Sequence, residues 1–368
     1  MPPIVARPTT MADGRELIYF DDADTTLPAE RKPDARALDP RPTTATMRQD
    51  PLTGDWISIA AARQNRVFLP PADQDPLAPA TVNNPSEVPD LYDVAVFENR
   101  SPSFGPTTGD EYSDSELTDI GLGRTRESIG RCEVVCFSPE TTGSFGSLSR
   151  SRARTVIEAW CARTAALSAL PGIRQVFPFE NRGEAIGVTL HHPHGQIYAY
   201  PYITPRTLRL LDSIERFGAG LFTGILEFER SSERMLLAGA HWTAYVPFAA
   251  RWPIEIHLLP NRHIADFAGT TDEERDELAG MYLRLLRAVD ALYKTPSPYI
   301  AAWHQAPVDR GRDDIRLMLQ ITSPRRAEDK LKYLAGSESA MGAWIGDVTP
   351  EQTASRLRAA LETVGEPA

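Results

Sequence analysis

The stretch Gly187-Val-Thr-Leu-His-His-Pro-His-Gly-Gln-Ile-Tyr198 holds three of the chain's seven histidines within four positions. A neutral imidazole attacks phosphorus at pH 7 without prior deprotonation and departs readily afterwards. Gly195 permits close backbone approach, and Gln196 can offer an amide N–H to a phosphoryl oxygen. Taken alone, the cluster leaves two readings open: a phosphorus nucleophile, or a metal site or chance surface patch.

Working outward, Gln175-Val-Phe, Ala185-Ile-Gly-Val-Thr-Leu and Gln196-Ile-Tyr-Ala-Tyr read as successive strands around the histidines. Upstream, apolar residues recur at helical spacing over residues 149–170, with Ser149 as cap and Pro171 as stop. Glu133-Val-Val-Cys-Phe is a short apolar strand ended by Ser138-Pro139, and Trp56-Ile-Ser-Ile-Ala has strand character. The Pro-rich residues 69–89 read as a long surface loop. Residues 1–45, rich in Pro, Asp, Arg and Thr, read as an irregular N-terminal segment. Downstream, Trp242-Thr-Ala-Tyr-Val-Pro and Glu255-Ile-His-Leu-Leu-Pro are strands. Thr271 then begins a capped helix, with Glu274 three residues on, and Tyr299-Ile-Ala-Ala-Trp and Arg316-Leu-Met-Leu-Gln-Ile are strands again. A last helix over residues 349–364 has Pro350 in its first turn. The repeated plan suggests an internal duplication, with one unit over residues 46–212 and a second over 213–368.

Composition narrows the class. At 368 residues and 42% hydrophobic content the chain can bury an ordinary core over two units. A net charge of −11 argues against nucleic acid or an anionic membrane as partner. The absence of any long apolar run excludes a spanning helix, and the N-terminus has no apolar signal core. Three cysteines, Cys132, Cys136 and Cys161, cannot all be paired. The expectation is a cytoplasmic protein.

Further segments accompany the histidines in order. They are Asp50-Pro-Leu-Thr-Gly-Asp-Trp-Ile with Arg63 and Arg66 after it, Val96-Phe-Glu-Asn99, Cys136-Phe-Ser-Pro139 and Phe179-Glu-Asn-Arg-Gly183. Trp303-His-Gln-Ala-Pro307 and Leu331-Lys-Tyr-Leu-Ala-Gly-Ser-Glu338 complete the set. With His192-Pro-His-Gly-Gln196, this pattern resembles the galactose-1-phosphate uridylyltransferase family, a branch of the histidine-triad superfamily, over residues 47–338. The resemblance implies an α+β fold of two histidine-triad-like halves sharing one antiparallel, half-barrel-like sheet with helices packed on it.

It also implies an activity: transfer of UMP from UDP-glucose to a hexose 1-phosphate, by double displacement through a covalent uridylyl-histidine. His194 would be the nucleophile and Gln196 a supporting donor. Arg63, Arg66, Asn99, Asn181, Thr189, His192, Lys332 and Glu338 stand at substrate-binding positions. The implied partners are a nucleotide sugar, a sugar 1-phosphate and a second copy of the chain completing each site. Other readings stay open: the same mechanism with another nucleotide or an unusual sugar 1-phosphate, or a non-catalytic nucleotide-binding homologue. The final position of the motif holds Gln196 where histidine-triad hydrolases carry a third histidine, which favours transfer.

The departures concern metals. Asp75-Pro-Leu-Ala78 stands where the family has a Cys pair, and Thr141 where it has a histidine, leaving His192 of one ligand set. At a second set His304 remains, but Met318 and Gln320 replace two histidines and no glutamate lies between Gln196 and Ser213. Closed zinc sites want four N, S or O ligands. The expectation is therefore a protein with no resident metal or other cofactor.

Overall fold

The computed structural model describes residues 3–41, 45–65, 69–106 and 118–366. The N-terminal part runs through β1 (Val5–Thr10), β2 (Glu16–Asp21), β3 (Thr46–Gln49), β4 (Trp56–Ile59) and β5 (Val94–Glu98). It continues with β6 (Thr118–Ile120), β7 (Gly123–Glu127), β8 (Arg131–Cys136), α1 (Arg150–Ser168), β9 (Gln175–Arg182) and β10 (His194–Tyr200). Next come α2 (Pro205–Phe217), α3 (Leu221–Arg230), β11 (Met235–Ala238), β12 (Trp242–Tyr245), β13 (Ile254–Pro260) and α4 (Asp272–Ala291). The chain closes with β14 (Tyr299–His304), β15 (Met318–Ser323), β16 (Arg325–Ala327), β17 (Lys330–Leu331), α5 (Gly336–Met341) and α6 (Pro350–Val364).

Eleven strands form one sheet in the order β1-β2-β5-β8-β10-β9-β14-β15-β13-β12-β11, with every named pairing antiparallel. The order contains its own repeat. β5, β8, β9 and β10, with α1 after β8, lie 1-2-4-3; so do β12, β13, β14 and β15, with α4 after β13. The two third strands, β9 and β14, pair with each other and join the halves.

One face of the sheet is dry. Successive strand residues point to opposite sides, and on this side Ile197, Ala199, Ala301, Trp303, Ile256 and Leu258 are buried with α1, α4 and α6. Two helices start at the caps expected from the sequence, Ser149 accepting from Arg152 N and Thr271 from Glu274 N; the last starts after Thr349, which accepts from Gln352 N. The other face carries the half-buried alternate set His194, Gln196, Tyr198 and Tyr200, and it is the face of the candidate site.

Three expectations need correction. The first 45 residues are not irregular throughout. β1 and β2 form a hairpin that extends the sheet, and β2 is buried on both sides, Ile18 and Phe20 toward the helices, Leu17 and Tyr19 toward Leu77, Val88 and Tyr92. Residues 69–89 do form a loop but not a purely surface one, since Asp75, Leu77, Ala78 and Val88 are buried. Residues 185–190 are not a strand. They begin within a short 3-10 turn, Glu184–Ile186, flanked by Gly183 and Gly187, both at positive φ, and continue as a loop to the start of β10.

The helices α2 and α3 had no counterpart in the sequence reading. Pro205 opens α2 at its first turn and Gly218 ends it at φ 86°. Their apolar faces, with Ile214, Phe222 and Leu226, pack on Tyr245, Leu259 and Ile315 and so cover the open face of the second half.

Candidate active site

His194 opens β10, and its Nδ1 lies 2.7 Å from the carbonyl oxygen of His192. Asn181 of β9 stands across the ladder by extension of the Gln196–Phe179 pair, two residues along each strand. His192, Asn181, Glu180 and His194 line one cavity, walled by the loop from Gly183 to Pro193. Gln196 follows on the same face, about 7 Å along the strand at the usual rise per residue. Gly195 between them faces the dry side, where a Cβ would lie 2.7 Å from Cζ of Phe137 and 3.0 Å from Phe179 O. Its close approach is therefore to the core.

His192 supports this site from behind. The ring is buried, with Nδ1 2.7 Å from Asp75 Oδ2 and Nε2 2.8 Å from Ser138 O and 3.0 Å from the Tyr92 hydroxyl. Burial works against the charge on Asp75, but the hydrogen bond and charge of His192 outweigh it and hold the carboxyl below its ordinary range. Glu180 behaves oppositely. Burial pushes its carboxyl up to about 7, although Oε1 accepts from the Tyr299 hydroxyl at 2.9 Å.

The other expected residues are dispersed. Thr189 sits in the loop, its carbonyl accepting from Leu69 N. Asn99 follows directly on β5, and its Oδ1 accepts from Ser101 N. Arg63 lies in a 3-10 turn over Ala61–Asn65, and Arg66 falls outside the described residues. Lys332 pairs with Glu338 at 2.9 Å and donates to Arg251 O. It borders a separate cavity whose wall includes Ala185 and Ile186.

One feature of the face went unread in the sequence. Phe177, Phe179, Tyr198, Tyr200 and Phe104 form a file of aromatic rings with neighbouring centroids 5.1–6.4 Å apart, and Phe177 lies 5.6 Å from the His304 ring. The signal was present as Tyr198-x-Tyr200 and Phe177-x-Phe179, two aromatic runs of period two on paired strands.

The metal positions implied by the resemblance hold poor donor sets. At the first, both nitrogens of His192 are engaged with protein groups, and Ala78 brings no donor atom. At the second, His304 Nε2 lies 3.3 Å from Gln320 Oε1, while Gln320 Nε2 and His257 Nε2 lie 2.6 and 3.1 Å from Glu255 Oε1. That carboxylate is committed to hydrogen bonds, and Arg206 places a positive charge beside His304. Among the described residues no group of three or more His, Cys, Asp or Glu side chains could hold a metal ion.

Comparison with known proteins places this geometry. Residues 37–204 match the family described as "Galactose-1-phosphate uridyl transferase, N-terminal domain", and residues 214–366 match its C-terminal domain. The chain belongs to the galactose-1-phosphate uridylyltransferase family. It is 43% identical to the galactose-1-phosphate uridylyltransferase of Streptomyces lividans, over 95% of this chain and 96% of that one. The Thermotoga maritima uridylyltransferase is 31% identical, over 85% and 97% respectively. A solved uridylyltransferase structure superimposes with a TM-score of 0.76 at 30% identity, covering 86% of this chain and 99% of the other. The family's α+β fold, with its large antiparallel sheet, is the one observed here. The three cysteines are free and buried, and among the described residues no helix is long and apolar enough to cross a membrane.

Proposed function

We propose that the chain moves UMP from UDP-glucose to galactose 1-phosphate through a covalent uridylyl-His194 intermediate. The observation that carries this reading is the 2.7 Å contact between His194 Nδ1 and the His192 carbonyl. A carbonyl only accepts, so Nδ1 carries the proton and the lone pair of the neutral ring is on Nε2. In the first half-reaction Nε2 bonds to the α-phosphorus as the bond to the bridging oxygen breaks, and glucose 1-phosphate leaves with that electron pair. In the second, a phosphate oxygen of galactose 1-phosphate attacks the same phosphorus, and the His194–phosphorus bond breaks with its pair returning to Nε2.

Neither step needs a strong acid, because each leaving group is weakly basic or a neutral ring in the product. Asn181 and Gln196, neutral donors on the same face, stabilise the charge on the phosphoryl oxygens without trapping the intermediate.

The same reading has the protein work in the cytoplasm, without a resident metal, as a homodimer in which Lys332 serves the partner's site. Support for the last comes from the exposed apolar side chains Tyr333, Leu334, Met341 and Ile345 in the segment after Lys332.

The test is incubation with UDP-glucose labelled in the uridine, then in parallel with labelled ADP-glucose and GDP-mannose. Acid-labile label on the wild-type chain, absent from His194→Gly and discharged by galactose 1-phosphate, is the expected result. Label carried by His194→Gly would overturn the assignment. Preferential labelling by ADP-glucose or GDP-mannose would keep the mechanism and change the nucleotide.

A further inference from the structure

The duplicated topology gives the second half a counterpart to the His194 face. His194 and Gln196 are the first and third residues of β10, the fourth strand of the first unit; Met318 and Gln320 are the first and third of β15, the fourth strand of the second. Register agrees, since His304 of β14 faces Met318 as Asn181 of β9 stands across from His194. The second face thus keeps the glutamine and replaces the nucleophile with methionine. Beneath α2 and α3 this face bounds a cavity of about 490 Å³, well within the range of roughly 300–1,000 Å³ that holds small ligands.

The walls of this cavity are predominantly basic. Arg206, Arg209, Arg251 and Arg316 line it; Glu255 attracts Arg206 and accepts from the backbone N–H of Arg251, but its Oε1 is taken up by Gln320 and His257. Arg316 is only 5% exposed. It donates to the carbonyls of Pro260 and Asn261 and to the Thr223 hydroxyl, and its Nε–H has no hydrogen-bond partner among the described residues. Glu229 is the only carboxylate among the described lining residues, and Arg234 occupies it at 2.7 Å.

Keeping guanidinium groups together in a concavity costs free energy that a bound anion offsets, and the arginine fork matches phosphate, sulfonate and carboxylate geometry. The same charge disfavours a cation beside His304. Two rings complete the lining: Phe228 and Phe248, 52% and 64% exposed, meet edge to face at 5.8 Å. Exposed aromatic pairs of this kind offer a flat apolar surface to a planar ligand.

We infer that this cavity is a second, non-catalytic ligand site for a small organic anion bearing an aromatic ring, with its acidic group on Arg206 and Arg316 and its ring on Phe228 and Phe248. Met318 at the nucleophile's position makes it a binding site only.

Titration of the full chain with anilinonaphthalene sulfonate, an aromatic sulfonate that fluoresces on desolvation, tests this. Saturable binding is expected. Arg206→Gln, a change at an exposed helix position, should weaken it by about tenfold or more, the loss of one charge-assisted contact. Phe228→Ala should weaken it as well. Asn181→Ala, in the His194 cavity, should leave it within about twofold of wild type, less than half a kcal/mol. Unchanged affinity in Arg206→Gln or Phe228→Ala, no saturable binding, or an equal loss in Asn181→Ala would each overturn the inference.

Discussion

The Asp75 carboxylate accepts a hydrogen bond from Nδ1 of His192 at 2.7 Å, tying the 69–93 loop to the histidine motif. His192 in turn presents its carbonyl to Nδ1 of His194. On the proposed mechanism Asp75 therefore positions His194 at one remove, through the backbone of the residue it anchors. Asp75→Ala leaves a buried imidazole N–H unpaired, which costs about 1–3 kcal/mol. We expect a lowered melting temperature and a fall in kcat with KM little changed, and Asp75→Asn should recover part of both. Steady-state kinetics beside thermal melts will show it; a pure KM effect would remove Asp75 from the positioning role.

Gln196 shares its face with His194, and on the proposed mechanism its amide donates to the phosphoryl group in transfer. Removal of one such donor typically slows turnover by ~10²–10³. Gln196→Ala should show that loss in single-turnover uridylylation with nucleotide binding nearly intact. Weaker binding at normal turnover would make it a binding residue instead.

Two buried groups give acid–base behaviour of opposite sign. Burial, with Arg206 nearby, holds the His304 imidazole down to about 3, so the unfolded chain takes up that proton first as pH falls below 6.5 and stability is lost toward 3. Glu180 is raised from 4.5 to about 7, so its contribution is fully present below 4.5 and is lost as pH rises through 7. Each accounts for at most about 1.4 kcal/mol per pH unit. Between 4.5 and 6.5 the two oppose each other. Denaturant unfolding across that window should find stability rising more steeply with pH in Glu180→Gln and less steeply in His304→Asn. Changes of the same sign would refute the pairing.

Chelation should leave activity and melting temperature unchanged, because His192 and His304 are held by Asp75 and Gln320 rather than arranged for a metal. A structural metal would contribute folding free energy directly. About one zinc or iron per chain by elemental analysis, with a melting temperature that drops in chelator, is the contrary result.

Shared active sites would make complementation possible. Mixing inactive His194→Gly with inactive Lys332→Ala should restore part of the activity, since the mixed dimer can contain one intact site. Light scattering should give a dimer mass. A monomeric protein, or a mixture as inactive as its components, counts against the shared site.

Much of this was readable in the residues themselves. Ser149 and Thr271 announced two helices because capping chemistry is local, Pro350 marked the first turn of a third, and the apolar runs of β8, β13, β14 and β15 stood out from their surroundings. The β1–β2 hairpin hid because Glu16-Leu-Ile-Tyr-Phe-Asp21 is buried on both faces and shows no alternation, amid proline- and aspartate-rich sequence. Residues 185–190 misled in the opposite way. Ile186, Val188 and Leu190 alternate like a strand, but Gly183 and Gly187 turn the backbone through positive φ. The Asp75–His192 bond joins positions 117 residues apart, and no local pattern encodes such a partner.

The pairing of β9 with β14 carries a consequence for dissection of the gene. If the chain is cut between the repeats, each fragment bares one of these strands as an open hydrogen-bonding edge, the kind of surface that recruits foreign strands. Neither repeat is thus a portable module. Co-expressed, the fragments should find one another through that seam; expressed singly, each should be lost to aggregation.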